Sequence, residues 1–346
     1  MKSGTIRFLR RSGKRFASLR GAVPGVDRLA NWWLESQFLA LAGRPSGALS
    51  EARCRDEHED ARRYRALHKS MAASTPAFGN LPEPLTLDEL GVGRFTSRVL
   101  DVADLEEPKF LKRYTDLGFR PENQHRKAWE IAYVSLLVDH FGACGGSGLG
   151  LGVAYEELLF HFANVCEQVV GIDLYNSLHW EGAARSPQQV YEMAPFPYRR
   201  ERLKVQHMDM RALEFATDSF DFVWSISVIE HVDSIAELET VFAGIHRVLK
   251  PGGHAFLTTE WNMVADNPRY VPGLIVFDEP LVSHLLAATP GLELLGPLLT
   301  RQSESDLHTY HVHWTSNRNT EVRPLYNIFT SETFCTPVVL VLRKQA

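Results

Sequence analysis

The chain has 346 residues, 45% of them apolar and 23% charged, the composition of an ordinary globular protein and not of a disordered, collagenous or disulfide-stapled one. A formal net charge of -5 argues against a general nucleic-acid binder, which needs an excess of Lys and Arg. Cys54, Cys144, Cys166 and Cys335 stand at no Cys-x-x-Cys spacing, so neither a zinc ribbon nor a redox motif is signalled, and scattered thiols suit a reducing compartment.

The N-terminus carries Lys2, Arg7, Arg10, Arg11, Lys14, Arg15 and Arg20 before the first acid, Asp27, with Phe8, Leu9, Phe16 and Leu19 interleaved. This pattern suits either a solvated terminus or peripheral contact with an anionic membrane. No apolar run approaches the ~20 residues of a membrane span, and no hydrophobic signal segment is seen, so a cytoplasmic location is expected. Trp32, Trp33, Leu34, Phe38 and Leu39 suggest one helix between residues 31 and 42. Residues 51–68 mix acids and arginines like a solvated helix, and the prolines and glycine between 73 and 84 read as a linker.

From residue 120 the pattern becomes regular. Trp129, Ala132, Tyr133, Leu136 and Leu137 predict a helix over 123–141. A glycine-rich stretch follows, then a helix over 155–166. Strands are predicted at 168–173, 203–207 and 220–226, the last nearly continuous in apolar residues, as a central parallel strand should be. Leu238, Val241, Phe242, Ile245, Val248 and Leu249 mark a helix stopped by Pro251-Gly252-Gly253, with a strand over 254–259. This alternation predicts a doubly wound α/β sheet with ligands beyond the carboxyl ends of its strands.

Chemistry is sought at those ends. Gly148, Gly150 and Gly152 alternate ahead of Ala154. The spacing misses the dinucleotide pattern G-x-G-x-x-G and suits a loop curling round a smaller nucleoside, because glycine permits close backbone approach. Asp173, about twenty residues on, could accept from both ribose hydroxyls. Asp209 could accept from an adenine amino group while Met210 lies against the ring.

These residues, with Asp218-Ser-Phe-Asp-Phe-Val-Trp-Ser225, Val228-Ile-Glu-His-Val232 and Arg247-Val-Leu-Lys-Pro-Gly-Gly253, resemble the class I S-adenosylmethionine-dependent methyltransferases, of the methyltransferase type 11 kind. Arg126-Lys-Ala-Trp-Glu130 and Gly171-Ile-Asp-Leu-Tyr175 resemble a bacterial subgroup of polysaccharide or small-molecule pathways. The resemblance covers about residues 120–262. It implies a Rossmann-like seven-stranded sheet, completed by segments near 292–295 and 336–342, with an N-terminal helical extension. The chain then divides into an extension and linker over 1–84 and a methyltransferase domain over 85–346, with its core at 120–262 and a C-terminal elaboration at 263–346.

The implied cofactor is S-adenosyl-L-methionine, held by Gly148, Gly150, Gly152, Glu156, Asp173, Leu174, Tyr175, Asp209, Met210 and Ser225. The implied activity is methylation of a small molecule or glycan, on oxygen, with no nucleic-acid partner. His231 is the candidate base, with Glu230 orienting it or serving instead. The sequence departs from the family at Gly148, where an acid normally helps hold the methionine amino group; Glu156 is the candidate replacement. A related quinone-pathway group places two glutamates and this histidine around a divalent metal. Ser227 replaces the first glutamate, so no metal is expected.

Trp261 and Asn262 are candidates for the acceptor pocket, and Trp180 for a flank of the nucleoside. His308, His311 and His313 read as surface histidines. Two other readings stay open: a catalytically silent nucleoside-binding scaffold or partner subunit, which the missing acid motivates, and a nicotinamide-dependent oxidoreductase, which the loop spacing disfavours.

Overall fold

The structure, a computed structural model, describes residues 95–101, 103–104, 107–120, 125–175, 184–263, 270–271, 274–300, 310–311, 327–329 and 334–346. The basic terminus, the two N-terminal helices, the linker, Trp180, His308 and His313 lie outside the described residues.

The described elements are β1 (Ser97–Val99), α1 (Pro108–Asp116), α2 (Arg126–His140), β2 (Ser147–Leu151), α3 (Glu157–Val165), β3 (Gln168–Asp173), α4 (Pro187–Glu192), β4 (Leu203–His207), β5 (Phe220–Ile226), α5 (Ile235–Val248), β6 (Leu249–Asn262), β7 (Tyr270–Val271), β8 (Leu274–Ile275), α6 (Glu279–Ala288), β9 (Leu292–Leu294), β10 (Leu298–Leu299), β11 (Tyr310–His311), β12 (Asn327–Phe329) and β13 (Phe334–Lys344). All the strands but β7 and β8 form one sheet, with the central order β10-β1-β13-β6-β5-β2-β3-β4. From β6 to β4 all neighbours run parallel, and β13 runs antiparallel to β6. This is a Rossmann-like α/β sheet. The seven-stranded core expected from the sequence sits inside a larger sheet. Beyond β13 the edge is shared: β9 pairs along Leu342 to Lys344, and β1 pairs at Val338 and Val339. No described helix is long and apolar enough to cross a membrane.

Each sheet face carries its own core. On one, α2 and α3 pack Trp129, Leu137, Leu159 and Phe162 against Phe222, Trp224, Phe256 and Val341. On the other, α5 and α6 pack Val241, Phe242, Ile245 and Leu285 against Leu149, Val223, Leu257 and Leu340. The stripe predicted for α5 is fully buried at Leu238, Val241, Phe242, Ile245 and Val248. Its start is set by Ser234, whose hydroxyl accepts from the Glu237 amide at 3.2 Å, while Glu237 reaches back to the Asp233 amide at 2.9 Å.

The alternating glycines have a packing cause. Gly148 and Gly150 lie within β2, on one face because side chains alternate along a strand. A Cβ on Gly148 would stand 2.3 Å from the Phe222 ring, and one on Gly150 would stand 2.4 Å from Trp224. Those two rings stack at 5.7 Å, with Phe162 edge-on to both. The glycines therefore make room for aromatics on the neighbouring strand. Pro251-Gly252-Gly253 also differs from expectation: β6 runs continuously from Leu249 to Asn262, with its register against β5 shifting between Phe220 and Phe222.

Candidate active site

The carboxyl ends of β2, β3, β4 and β5, with the first turn of α2, enclose a cleft of about 640 Å³, a size suited to a small ligand. The chain leaves β2 through Gly152 at φ +65° and Ala154 at φ +43°, leaves β3 through Tyr175 at φ +50°, and leaves β5 through Ser227 at φ +47°. Left-handed backbone at three residues that carry a Cβ costs energy, and such positions gather at functional sites.

Asp173 ends β3 on the cleft wall. One carboxylate oxygen accepts from the Ala154 amide at 2.9 Å and the other from the Tyr175 amide at 2.8 Å. Each oxygen keeps a lone pair for a further donor. Leu174 and Tyr175 line the same wall, and the buried Tyr175 hydroxyl has no hydrogen-bond partner.

Asp209 and Met210 follow β4 and also line the cleft. Asp209 is gripped by Arg211, whose Nε lies 3.0 Å from both carboxylate oxygens and whose Nη2 lies 2.7 Å from one. That guanidinium holds the Asp209 carboxyl below the usual range and spends a further donor on Glu237 at 3.0 Å. Glu156, just ahead of α3, accepts from the Trp224 indole. Burial pushes its carboxyl up to about 8.

His231 is exposed and lines the cleft beyond β5. Its neighbour Glu230 turns inward: it is 1% exposed, does not reach the cleft wall, and neither carboxylate oxygen has a hydrogen-bond partner. It faces a buried group of charges. Glu130 of α2 accepts from the Ser227 hydroxyl at 2.5 Å and the Thr258 hydroxyl at 2.6 Å. Arg126 bonds Glu260 of β6 and lies 3.8 Å from Glu130. Lys127 lies 3.7 Å from Glu130 and donates to the Ile226 carbonyl at 3.1 Å. Burial opposes ionisation of Glu130, but Lys127, Arg126 and the two hydroxyls outweigh it and lower its pKa. Glu230 has no such partners, and burial pushes it up to about 8.

Several expected site residues stand elsewhere. Gly148 and Gly150 are packed inside the sheet, so Gly152 alone of the three lines the cleft. Ser225 is buried in β5 with its hydroxyl 3.4 Å from the Leu151 carbonyl; Ser227, two residues on, takes the cleft position. Trp261 and Asn262 belong to β6, paired with β13, and are not on the cleft wall. His311 lies in β11, paired with β12. Sequence reading missed Lys127 and Glu130. Their one-turn spacing on a helix was visible, but their approach to β5 and β6 was not.

Residues 147–257 match the family model described as a methyltransferase domain. No curated protein matches the chain. Among solved structures, the [4+2]-cyclase SpnF is 19% identical, covering 63% of this chain and 83% of its own, with a TM-score of 0.44. A sarcosine dimethylglycine methyltransferase from Galdieria sulphuraria is 15% identical, covering 64% and 88%, with a TM-score of 0.45. The 1,6-didemethyltoxoflavin-N1-methyltransferase of Burkholderia thailandensis, solved with S-adenosylhomocysteine, is 16% identical, covering 70% and 89%, with a TM-score of 0.42. The family match falls on the strands and turns that build the cleft, and residues 147–257 are a class I methyltransferase domain. The protein is accordingly an S-adenosylmethionine-dependent methyltransferase.

Proposed function

We propose that the enzyme methylates a hydroxyl of a small molecule or glycan, with His231 as the base. In this reading Gly152, Glu156, Asp173, Leu174, Tyr175, Asp209 and Met210 hold the donor. The residues fit such a group. Asp173 offers lone pairs to paired hydroxyls, Tyr175 has a buried hydroxyl in need of a partner, and Glu156 supplies the carboxyl that β2 lacks at Gly148. When bound, S-adenosylmethionine supplies an electrophilic methyl group on a positively charged sulfonium.

The single observation that carries the reading is that Asp173, Glu156 and His231 border one cleft although they come from three different strand ends. The protein's part is then mainly alignment. A ring nitrogen of His231 takes the acceptor's hydroxyl proton as the oxygen forms its new bond. Glu230, buried beside it in the short helical turn Ile229–His231, fixes the backbone that presents the imidazole. Apolar Phe119, Ile131, Ile226 and Val228 on the walls limit water around the reacting oxygen.

The test is incubation with labelled methyl donor and fractionated cell extract. Label is expected in a small-molecule or carbohydrate fraction as an alkali-stable methyl ether. Label confined to protein or nucleic acid contradicts the proposal.

A further inference from the structure

The cleft wall is acidic, with Glu156, Glu157, Asp173, Asp209 and Asp233 on it, and it carries two permanent cations among the described residues, Lys127 and Arg211. The two cations differ in what they have left to give. Arg211 spends its guanidinium on Asp209 and Glu237 at 2.7–3.0 Å. Lys127 makes one hydrogen bond among the described residues, to the Ile226 carbonyl. Its nearest carboxylate oxygen, on Glu130, is at 3.7 Å, beyond hydrogen-bond range, and that oxygen already accepts from Ser227 and Thr258. An ammonium has three donors, so Lys127 has two unspent, on a side chain that is 27% exposed beside apolar Phe119, Ile131 and Ile226. A half-desolvated cation with unused donors at the end of a ligand cleft is a place for an anion, and charge-assisted bonds there are strong.

We propose that Lys127 makes this end of the cleft a carboxylate subsite, with Glu130 and the Ile226 carbonyl as the positioning groups that hold the ammonium. The inference deepens the methyl-transfer reading and rests on it. The carboxylate has two possible sources: the amino-acid tail of the donor, or an acidic group on the acceptor.

The experiment is calorimetry on the full chain, with S-adenosylhomocysteine and its decarboxylated analogue as probes. If the donor supplies the carboxylate, the parent binds S-adenosylhomocysteine about 10-fold or more tightly than the analogue. Lys127→Met brings that ratio near one without changing affinity for the analogue, and Lys127→Arg restores part of it. Glu130→Gln lowers the ratio and leaves the analogue's affinity alone, as a positioning role requires. If the acceptor supplies it, the parent ratio is near one. The parent loaded with S-adenosylhomocysteine then binds 4-hydroxybenzoate at least 10-fold better than the neutral 4-hydroxybenzamide, and Lys127→Met loses that preference. A ratio that survives in Lys127→Met, or a parent indifferent to the carboxylate in both arms, overturns the subsite. A parent that binds neither nucleoside overturns the donor reading first, and the subsite with it.

Discussion

Asp173 and Glu230 both follow central strands at the carboxyl edge of the sheet, yet the two carboxyls live in opposite surroundings. Asp173 faces the cleft with a backbone amide on each oxygen. Glu230 is sealed behind the cleft with neither oxygen bonded. The half of the site built by β2, β3 and β4 is made of local turns, where short side chains bond amides two residues away or on the next strand. The half built by β5, β6 and α2 is made of long side chains from distant parts of the chain, meeting in a low-dielectric interior. Turn chemistry is cheap and tolerant, whereas a buried charge group is stable only when its members are matched. The first half should therefore answer to mutation through ligand affinity, and the second through stability and pH.

The largest effect is expected at Glu130. Removing it by Glu130→Ala strands Lys127, Arg126 and two hydroxyls in the interior, at a cost of about 3–5 kcal/mol, read as a lowered urea midpoint with unchanged slope. A comparable loss would be read in rate at His231, where His231→Ala should lower kcat by about 10²- to 10⁴-fold while S-adenosylhomocysteine binds as before. A weakened affinity there would place the imidazole in donor binding instead. Next comes Gly148→Ala, whose Cβ would meet Phe222 at 2.3 Å; it should cost about 1–3 kcal/mol and spare ligand affinity, provided the fold is retained, because Gly148 is not on the cleft wall.

Glu230 gives a prediction with a definite sign. Its folded-state pKa of about 8 stands above the ordinary 4.5. Stability from its neutral form is therefore fully present below pH 4.5 and is lost as pH rises through 8. Glu230→Gln, which mimics the neutral carboxyl, should gain stability relative to the parent as pH rises across that window, at up to about 1.4 kcal/mol per pH unit. A difference that stays flat with pH would mean that Glu230 is ionised in the fold. The smallest effect is at the surface: Asp116→Ala removes an exposed ion pair with Lys112 and should change stability by less than about 1 kcal/mol.

The same contrast explains what could be read from sequence. β3, β4 and β5 match their predicted limits because an apolar run bounded by turn residues is a local signal. Asp173, Asp209 and Met210 were legible at strand ends for the same reason. The glycine run misled because period two in glycine reads equally as a ligand loop or as a strand yielding space to large neighbours. Only the placement of Phe222 and Trp224 decides, and that depends on strand pairing. Ser225 and Ser227 could not be separated without knowing that β5 ends at Ile226. Lys127, Glu130 and Glu260 come together across about 130 residues of chain, between Glu260 and Lys127, which no spacing reveals. The edge strand β1 escaped for a similar reason, since its partner β13 lies near the other end of the sequence.

The most direct measurement is the affinity of S-adenosylhomocysteine for the parent and for Asp173→Ala, by calorimetry, with thermal melts to confirm that both are folded. The account predicts that the parent binds and that the variant binds about 10- to 100-fold more weakly, as loss of charge-assisted bonds to paired hydroxyls requires. A folded Asp173→Ala that binds as tightly as the parent would contradict it.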